Sequence, residues 1–154
     1  MTKNIVVTGG AIIKDDRGRI LLQKRSDYGD WGLPGGGMEA GETIEETMIR
    51  EVKEETGLQI KEYRLFSVYT GPRMEYQYPD GNKVVFVMFL FNVTADLSNE
   101  LVAGDGTLIY NDRNNESLQL RFMYIEDIEI EEINSVQKPV FIDLKEGNTE
   151  ILRN

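Results

Sequence analysis

From Lys83 to Val93 the chain reads Lys-Val-Val-Phe-Val-Met-Phe-Leu-Phe-Asn-Val, almost without a polar position. So continuous an apolar run, rich in β-branched and aromatic residues, predicts a central strand buried on both faces. Ile5 to Lys14 and Arg19 to Arg25 are strand-like around the turn Asp15-Asp16-Arg17-Gly18, and the pair reads as a β-hairpin. Gly9 and Gly10 inside the first strand suggest a bulge or a close backbone approach. Further strands are expected over 59–70 and 118–124, with a reversal at Pro79-Asp80-Gly81-Asn82. The polar, glycine-rich stretch 95–115 reads as a long connection, and 125–132 as an acidic segment. A short helix is expected over 135–144, with Ser135 as its cap and Pro139 in its first turn.

One segment changes period. From Thr43 to Gly57 the apolar positions Ile44, Met48, Ile49 and Val52 form one arc at helical spacing. Gly57 sits where a left-handed C-cap belongs, and acids crowd the first turn. Glu51, Glu54 and Glu55 fall at i, i+3 and i+4, on one face and at the border of the apolar arc. Acids there would repel one another with little water between them, unless a cation fills the cluster. Three carboxylates without His or Cys are hard oxygen ligands, suited to Mg²⁺ or Mn²⁺.

At 154 residues the chain reads as one domain over 1–154. It contains no cysteine and no histidine, which removes disulfides, thiol nucleophiles, Cys/His zinc sites and Ser-His-Asp machinery. The net charge of −10 argues against non-specific binding to nucleic acid or anionic membranes. It leaves phosphate substrates open, because a bound metal reverses the local sign. No apolar run approaches membrane-spanning length and the N-terminus carries no cleavage signal, so a cytoplasmic protein is expected.

The spacing Gly36, five residues, Glu42, seven residues, then Arg50-Glu51-Val52-Lys53-Glu54-Glu55-Thr56-Gly57-Leu58 resembles the Nudix box at every defining position. Trp31-Gly32-Leu33-Pro34-Gly35-Gly36 resembles the family's usual lead-in. The resemblance implies an α/β fold, an α/β/α sandwich with a mixed β-sheet between helices. It also implies hydrolysis of a pyrophosphate bond in a nucleoside diphosphate linked to a group X, by attack of metal-activated water on phosphorus. Glu51, Glu54 and Glu55 match the metal-binding glutamates, and the carbonyl of Gly35 or Gly36 is a further ligand. Arg50 matches the box arginine, an orienting partner for the carboxylates; a surface pair with Glu46 is the plainer reading. Glu42 matches a position that braces the loop against the helix. For the general base two readings stay open: Glu51, or a later acid, for which Glu116 is chosen as base and added ligand. Arg25 ends its strand where relatives often place a phosphate-binding arginine. A homodimer is suggested by analogy alone.

Other substrate contacts come from residue chemistry. Arg73, Tyr76 and Tyr78 offer a guanidinium and rings to phosphate and base, or else form an ordinary aromatic hairpin. Tyr28 and Trp31 lie in the loop before the glycines, where Trp31 either stacks on a base or anchors the loop. The phenylalanines of 86–91 are assigned to the core. The substrate is read as ADP-ribose or a nucleotide sugar, or as a mutator-type nucleoside triphosphate. The competing class is a non-catalytic Nudix-fold module that binds nucleotide without turning it over.

Overall fold

The computed structural model describes residues 4–25, 29–98, 100, 102–109 and 117–154. In chain order the strands are β1 (Asn4–Ile13), β2 (Ile20–Arg25), β3 (Trp31–Gly32), β4 (Gly35–Gly37), β5 (Gln59–Tyr69), β6 (Glu75–Gln77), β7 (Lys83–Asp96), β8 (Thr107–Leu108), β9 (Ser117–Met123) and β10 (Leu152–Arg153). The helices are α1 (Ile44–Thr56) and α2 (Lys138–Glu146). Among the described residues no helix is long and apolar enough to cross a membrane.

The long apolar run becomes β7, the centre of a mixed sheet in the order β10-β5-β7-β1-β4, with β6 also on β7. β1 pairs with β7 in parallel from Asn4↔Val84 to Ile13↔Val93 without a register shift. The glycines of β1 therefore make no bulge. A second sheet, β3-β2-β9-β8, lies beside the first.

The expected hairpin of the first two strands does not form. β1 and β2 belong to different sheets, and just the turn between them is closed, by the bridge Lys14↔Ile20 and the Asp15 N–H donating to the Arg19 carbonyl. The reason lies in the burial of β1: Ala11, Ile12 and Ile13 are all fully buried, so both faces demand cover. A parallel partner apolar on both faces meets that demand; β2 pairs with β9 instead.

Side chains alternate across β1 and β7 and feed two cores. Ala11, Ile13, Phe91 and Val93 pack with Met48 and Val52 of α1. Ile12, Met88 and Leu90 pack with Val140 and Phe141 of α2. The sandwich of helix, sheet and helix is thus present, with its β layer in two sheets.

α1 keeps its expected ends. Thr43 is the N-cap in a reciprocal capping box with Glu46, and Gly57 is a left-handed C-cap whose N–H donates to the Lys53 carbonyl. Its buried stripe differs from the expected arc, because Ile49 is exposed while Glu55 is buried. α2 begins at Lys138, with Pro139 in its first turn and Gln137, not Ser135, at the cap position. The acidic segment folds as two single 3₁₀ turns, Ile125–Asp127 and Ile130–Glu132. Ile128 and Ile133, each following one of these turns, are buried.

Candidate active site

The turn before α1 lies flat on β1. β4 pairs with it at Thr8↔Gly37, Gly9↔Gly36 and Gly10↔Gly35. A Cβ on Gly35 would stand 2.6 Å from the Gly10 Cα and from the Gly9 carbonyl oxygen, and its φ of 155° also disfavours a side chain. A Cβ on Gly9 would stand 3.1 Å from the carbonyl oxygen of Ile44, at the start of α1. Glycine at these positions lets strand, turn and helix meet. The close backbone approach expected of Gly9 and Gly10 is what they provide.

This contact brings the glutamates of α1 to the glycine turn. Glu55, only 3% exposed, accepts the N–H of Gly35 at 3.1 Å. The Glu51 carboxylate lies over Gly36, where a Cβ would come within 2.5 Å of its Cδ. Glu54 reaches outward, with 47% of its side chain exposed.

Arg50 holds these acids together. Its Nη1 donates to Glu51 at 2.8 Å and to Glu54 at 3.4 Å. Its Nε and Nη2 donate to Glu42 at 2.7 and 3.1 Å, and Nη2 also to the Gly37 carbonyl at 3.0 Å. The surface pair with Glu46 is not made, since the Glu46 carboxylate accepts the Thr43 N–H in the capping box. Glu42 braces the turn as expected, accepting from Arg50, the Glu39 N–H and the Thr47 hydroxyl. The Arg50 hydrogen bond, followed by that of Glu39, pulls the Glu42 carboxyl down to about 2 from 4.5. The same bond to Glu42 pushes Arg50 further up.

The acids are therefore not an uncompensated cluster, contrary to the reading from spacing alone. Arg50 supplies a countercharge that the helical projection leaves out. Among the described residues no three acidic, His or Cys side chains converge into a cage. The donor set still fits a hard dication. Glu51 and Glu55 flank the glycine turn, and Mg²⁺ is commonly held by one or two carboxylates plus waters and substrate oxygens.

A cavity of about 580 Å³ opens on the far side of the turn, with Gly9, Gly10, Gly35 and Gly36 in its lining. That volume suits a nucleotide-sized ligand. Arg25, Tyr76 and Tyr78 are in its lining, and the two tyrosine rings meet edge to face with centroids 5.0 Å apart, as in an aromatic hairpin. Trp31 and Arg73 are not part of the lining. Trp31 is buried in β3, anchoring the loop, and Arg73 donates to the main-chain oxygen of Asn154. Tyr28 and Glu116 lie outside the described residues.

Several lining residues escaped sequence reading. Phe86, assigned to the core, is only half-buried and lines the cavity, whereas Phe91 is core as expected. Asp30 also lines it, and its Oδ1 is buried with no hydrogen-bond partner among the described residues. Asn134, Gln137 and Lys138, at and just before the start of α2, form a further wall. The signal for that wall was a polar run just before Pro139, at a helix start.

The sequence model of the NUDIX domain matches residues 5–144. An ADP-ribose pyrophosphatase of Methanocaldococcus jannaschii is 40% identical over 101 residues, 65% of this chain and 56% of the relative. A MutT-like protein of Streptomyces ambofaciens is 44% identical over 64 residues, 42% of this chain and 41% of the relative. The chain spans about half the length of the curated relatives it matches. A crystal structure of a NUDIX hydrolase from Nitrosomonas europaea superposes with a TM-score of 0.67 at 25% identity, covering 99% of this chain and 79% of that one.

Proposed function

Because this chain belongs to the NUDIX domain family, we propose that it hydrolyses the pyrophosphate bond of a nucleoside diphosphate carrying a second group, with ADP-ribose or a nucleotide sugar as substrate. One observation carries the reading: the glycine turn that Glu51 and Glu55 flank also lines the nucleotide-sized cavity. A diphosphate in that cavity would lie against the same glycine turn. The similarity to an ADP-ribose pyrophosphatase supports the choice of substrate.

Glu51, Glu54 and Glu55, with the carbonyl of Gly35 or Gly36, would hold a Mg²⁺ or Mn²⁺ ion. Such an ion, when bound, polarises a phosphoryl oxygen and acidifies water. The protein's own residues divide the remaining work. Glu51 takes the proton of the attacking water, being the acid set over Gly36 and oriented by Arg50. Arg25 binds a phosphate oxygen at the cavity wall. Tyr76, Tyr78 and Phe86 offer aromatic faces to a base. The buried Oδ1 of Asp30, without a partner among the described residues, accepts a hydroxyl or N–H of the nucleoside. Water adds to phosphorus, the bridging P–O bond breaks, and ADP-ribose yields AMP and ribose 5-phosphate.

A second reading, hydrolysis of a nucleoside triphosphate, is supported by the similarity to a MutT-like protein. Product chromatography on ADP-ribose, nucleotide sugars, dinucleoside polyphosphates and oxidised dGTP, with Mg²⁺, separates the two. The first reading expects AMP from ADP-ribose at the highest kcat/KM of the panel. Preference for a triphosphate would favour the second. Nucleotide binding without product anywhere in the panel would support a binding module.

A further inference from the structure

Gln137 stands at the cap position of α2 yet makes no side-chain cap. Its Oε1 instead accepts the main-chain N–H of Leu33 at 2.7 Å. Asn134 reinforces the join: its N–H donates to the Trp31 carbonyl at 2.9 Å, and its Oδ1 accepts the Gln137 N–H at 3.1 Å. Trp31 and Ile133 add an isolated parallel bridge. Gly32, between the joined residues, has no room for a Cβ, because Asn134 and Gln137 lie against it. Just beyond Leu33, the Pro34 carbonyl accepts the Ala11 N–H and the Gly35 N–H donates to Glu55. Asn134 and Gln137 also line the cavity.

We propose that Gln137 is a positioning residue for hydrolysis, its amide oxygen locking the strand before the glycine turn to the wall formed by the start of α2. The lock rests on the reading of the site given above. It fixes the distance between the wall formed by the start of α2 and the turn whose Gly35 N–H is held by Glu55. The chemistry of the cap position argues for this role. A residue kept there to stabilise α2 would be Ser, Thr, Asp or Asn turned onto the helix's own N–H groups. Gln137 has the longer reach, and it spends its acceptor across the cavity's edge.

The variants Gln137→Ser and Gln137→Glu separate capping from locking. Serine can cap α2 but cannot reach Leu33, whereas glutamate keeps an oxygen at the same reach. Three readouts apply: hydrogen exchange at the Leu33 amide, Mn²⁺ affinity by electron paramagnetic resonance, and Mg²⁺-dependent turnover. For Gln137→Ser, Leu33 exchange should rise about tenfold, as for a part-buried N–H that loses its partner. Mn²⁺ binding should weaken several-fold and kcat should fall by about tenfold or more, since small misplacements near the reacting groups are costly. KM should change less than kcat. Gln137→Glu should retain Leu33 protection and Mn²⁺ affinity. The proposal is overturned if Gln137→Ser leaves Mn²⁺ affinity and kcat unchanged, or if Gln137→Glu loses Leu33 protection to the same extent. Mn²⁺ binding by the wild type without turnover of any substrate defeats the hydrolysis reading alone, and the exchange and affinity data still decide the lock. A wild type that binds no Mn²⁺ overturns both.

Discussion

Arg50 shows what a single residue contributes beyond its place in a motif. Its guanidinium joins Glu42, Glu51, Glu54 and the Gly37 carbonyl, so one cation ties the turn to the acids of α1. Spacing found the glutamates, the Nudix resemblance implied Arg50 as their orienting partner, and the bond from Arg50 to Glu42 was foreseen by neither. An i, i+4 rule sees only partners on the same helix, and Glu42 precedes it. Two predictions belong here. Glu42 titrates at about 2 in the folded chain against 4.5 ordinarily, so its bond to Arg50 stabilises the fold fully above 4.5. That contribution is lost as pH falls from 4.5 through about 2, because the unfolded chain binds the proton first. Melting curves should therefore show a steeper loss of Tm over this window for wild type than for Glu42→Gln; parallel losses would remove Glu42 as a cause. Gly36→Ala should leave Tm nearly unchanged, because the group it meets is the movable end of Glu51. Displacing that carboxylate should nonetheless lower Mg²⁺-dependent kcat by about tenfold or more, as steady-state kinetics would record.

At the scale of elements, the ends of α1 were legible because their signals are local: acids crowding the first turn after Thr43, and Gly57 for the left-handed turn. Thr43→Ala should destabilise the protein by about 1 kcal/mol in denaturant unfolding, the usual effect of losing an N-cap side chain. The start of α2 was misread for the converse reason. Gln137 uses its side chain on a distant strand, so no local cap marks the boundary. The pairing of β1 was hidden in the same way. Its turn to β2 is adjacent in sequence, but burial on both faces sends it to β7.

For the molecule as a whole, the sheet divides the protein into a face covered by α1 and a face covered by α2. The glycine turn and the start of α2 meet at one end of that arrangement. The α2 face is tied down by a buried polar group: Tyr69 donates to Asp143 at 2.5 Å, and Arg153 of β10 donates to the Tyr69 oxygen at 2.9 Å. Burial, then the Asp143 carboxylate, pushes the Tyr69 hydroxyl up, so it remains a donor. Arg153→Met would leave Asp143 buried without its countercharge. Breaking such a pair costs about 3–5 kcal/mol, which chemical denaturation would measure. The nearly continuous apolar run marked a central strand and the helical period marked α1, while the α/β/α arrangement was implied by the Nudix resemblance. The cavity was only partly readable, since its described walls come from 8–10, 25, 30, 35–36, 76–90 and 131–138, which no period connects.

The central claim is that acids on α1 serve a bound dication in pyrophosphate hydrolysis. Glu54 tests it most cleanly, being the exposed member whose change disturbs no core packing. The measurement is the Mg²⁺ dependence of AMP release from ADP-ribose by wild type and by Glu54→Gln, both at equal Tm. The account predicts Mg²⁺-dependent turnover that falls by about 100-fold or more in the variant, as for removal of charge stabilisation worth several kcal/mol. Turnover by Glu54→Gln equal to wild type at limiting Mg²⁺ would contradict it.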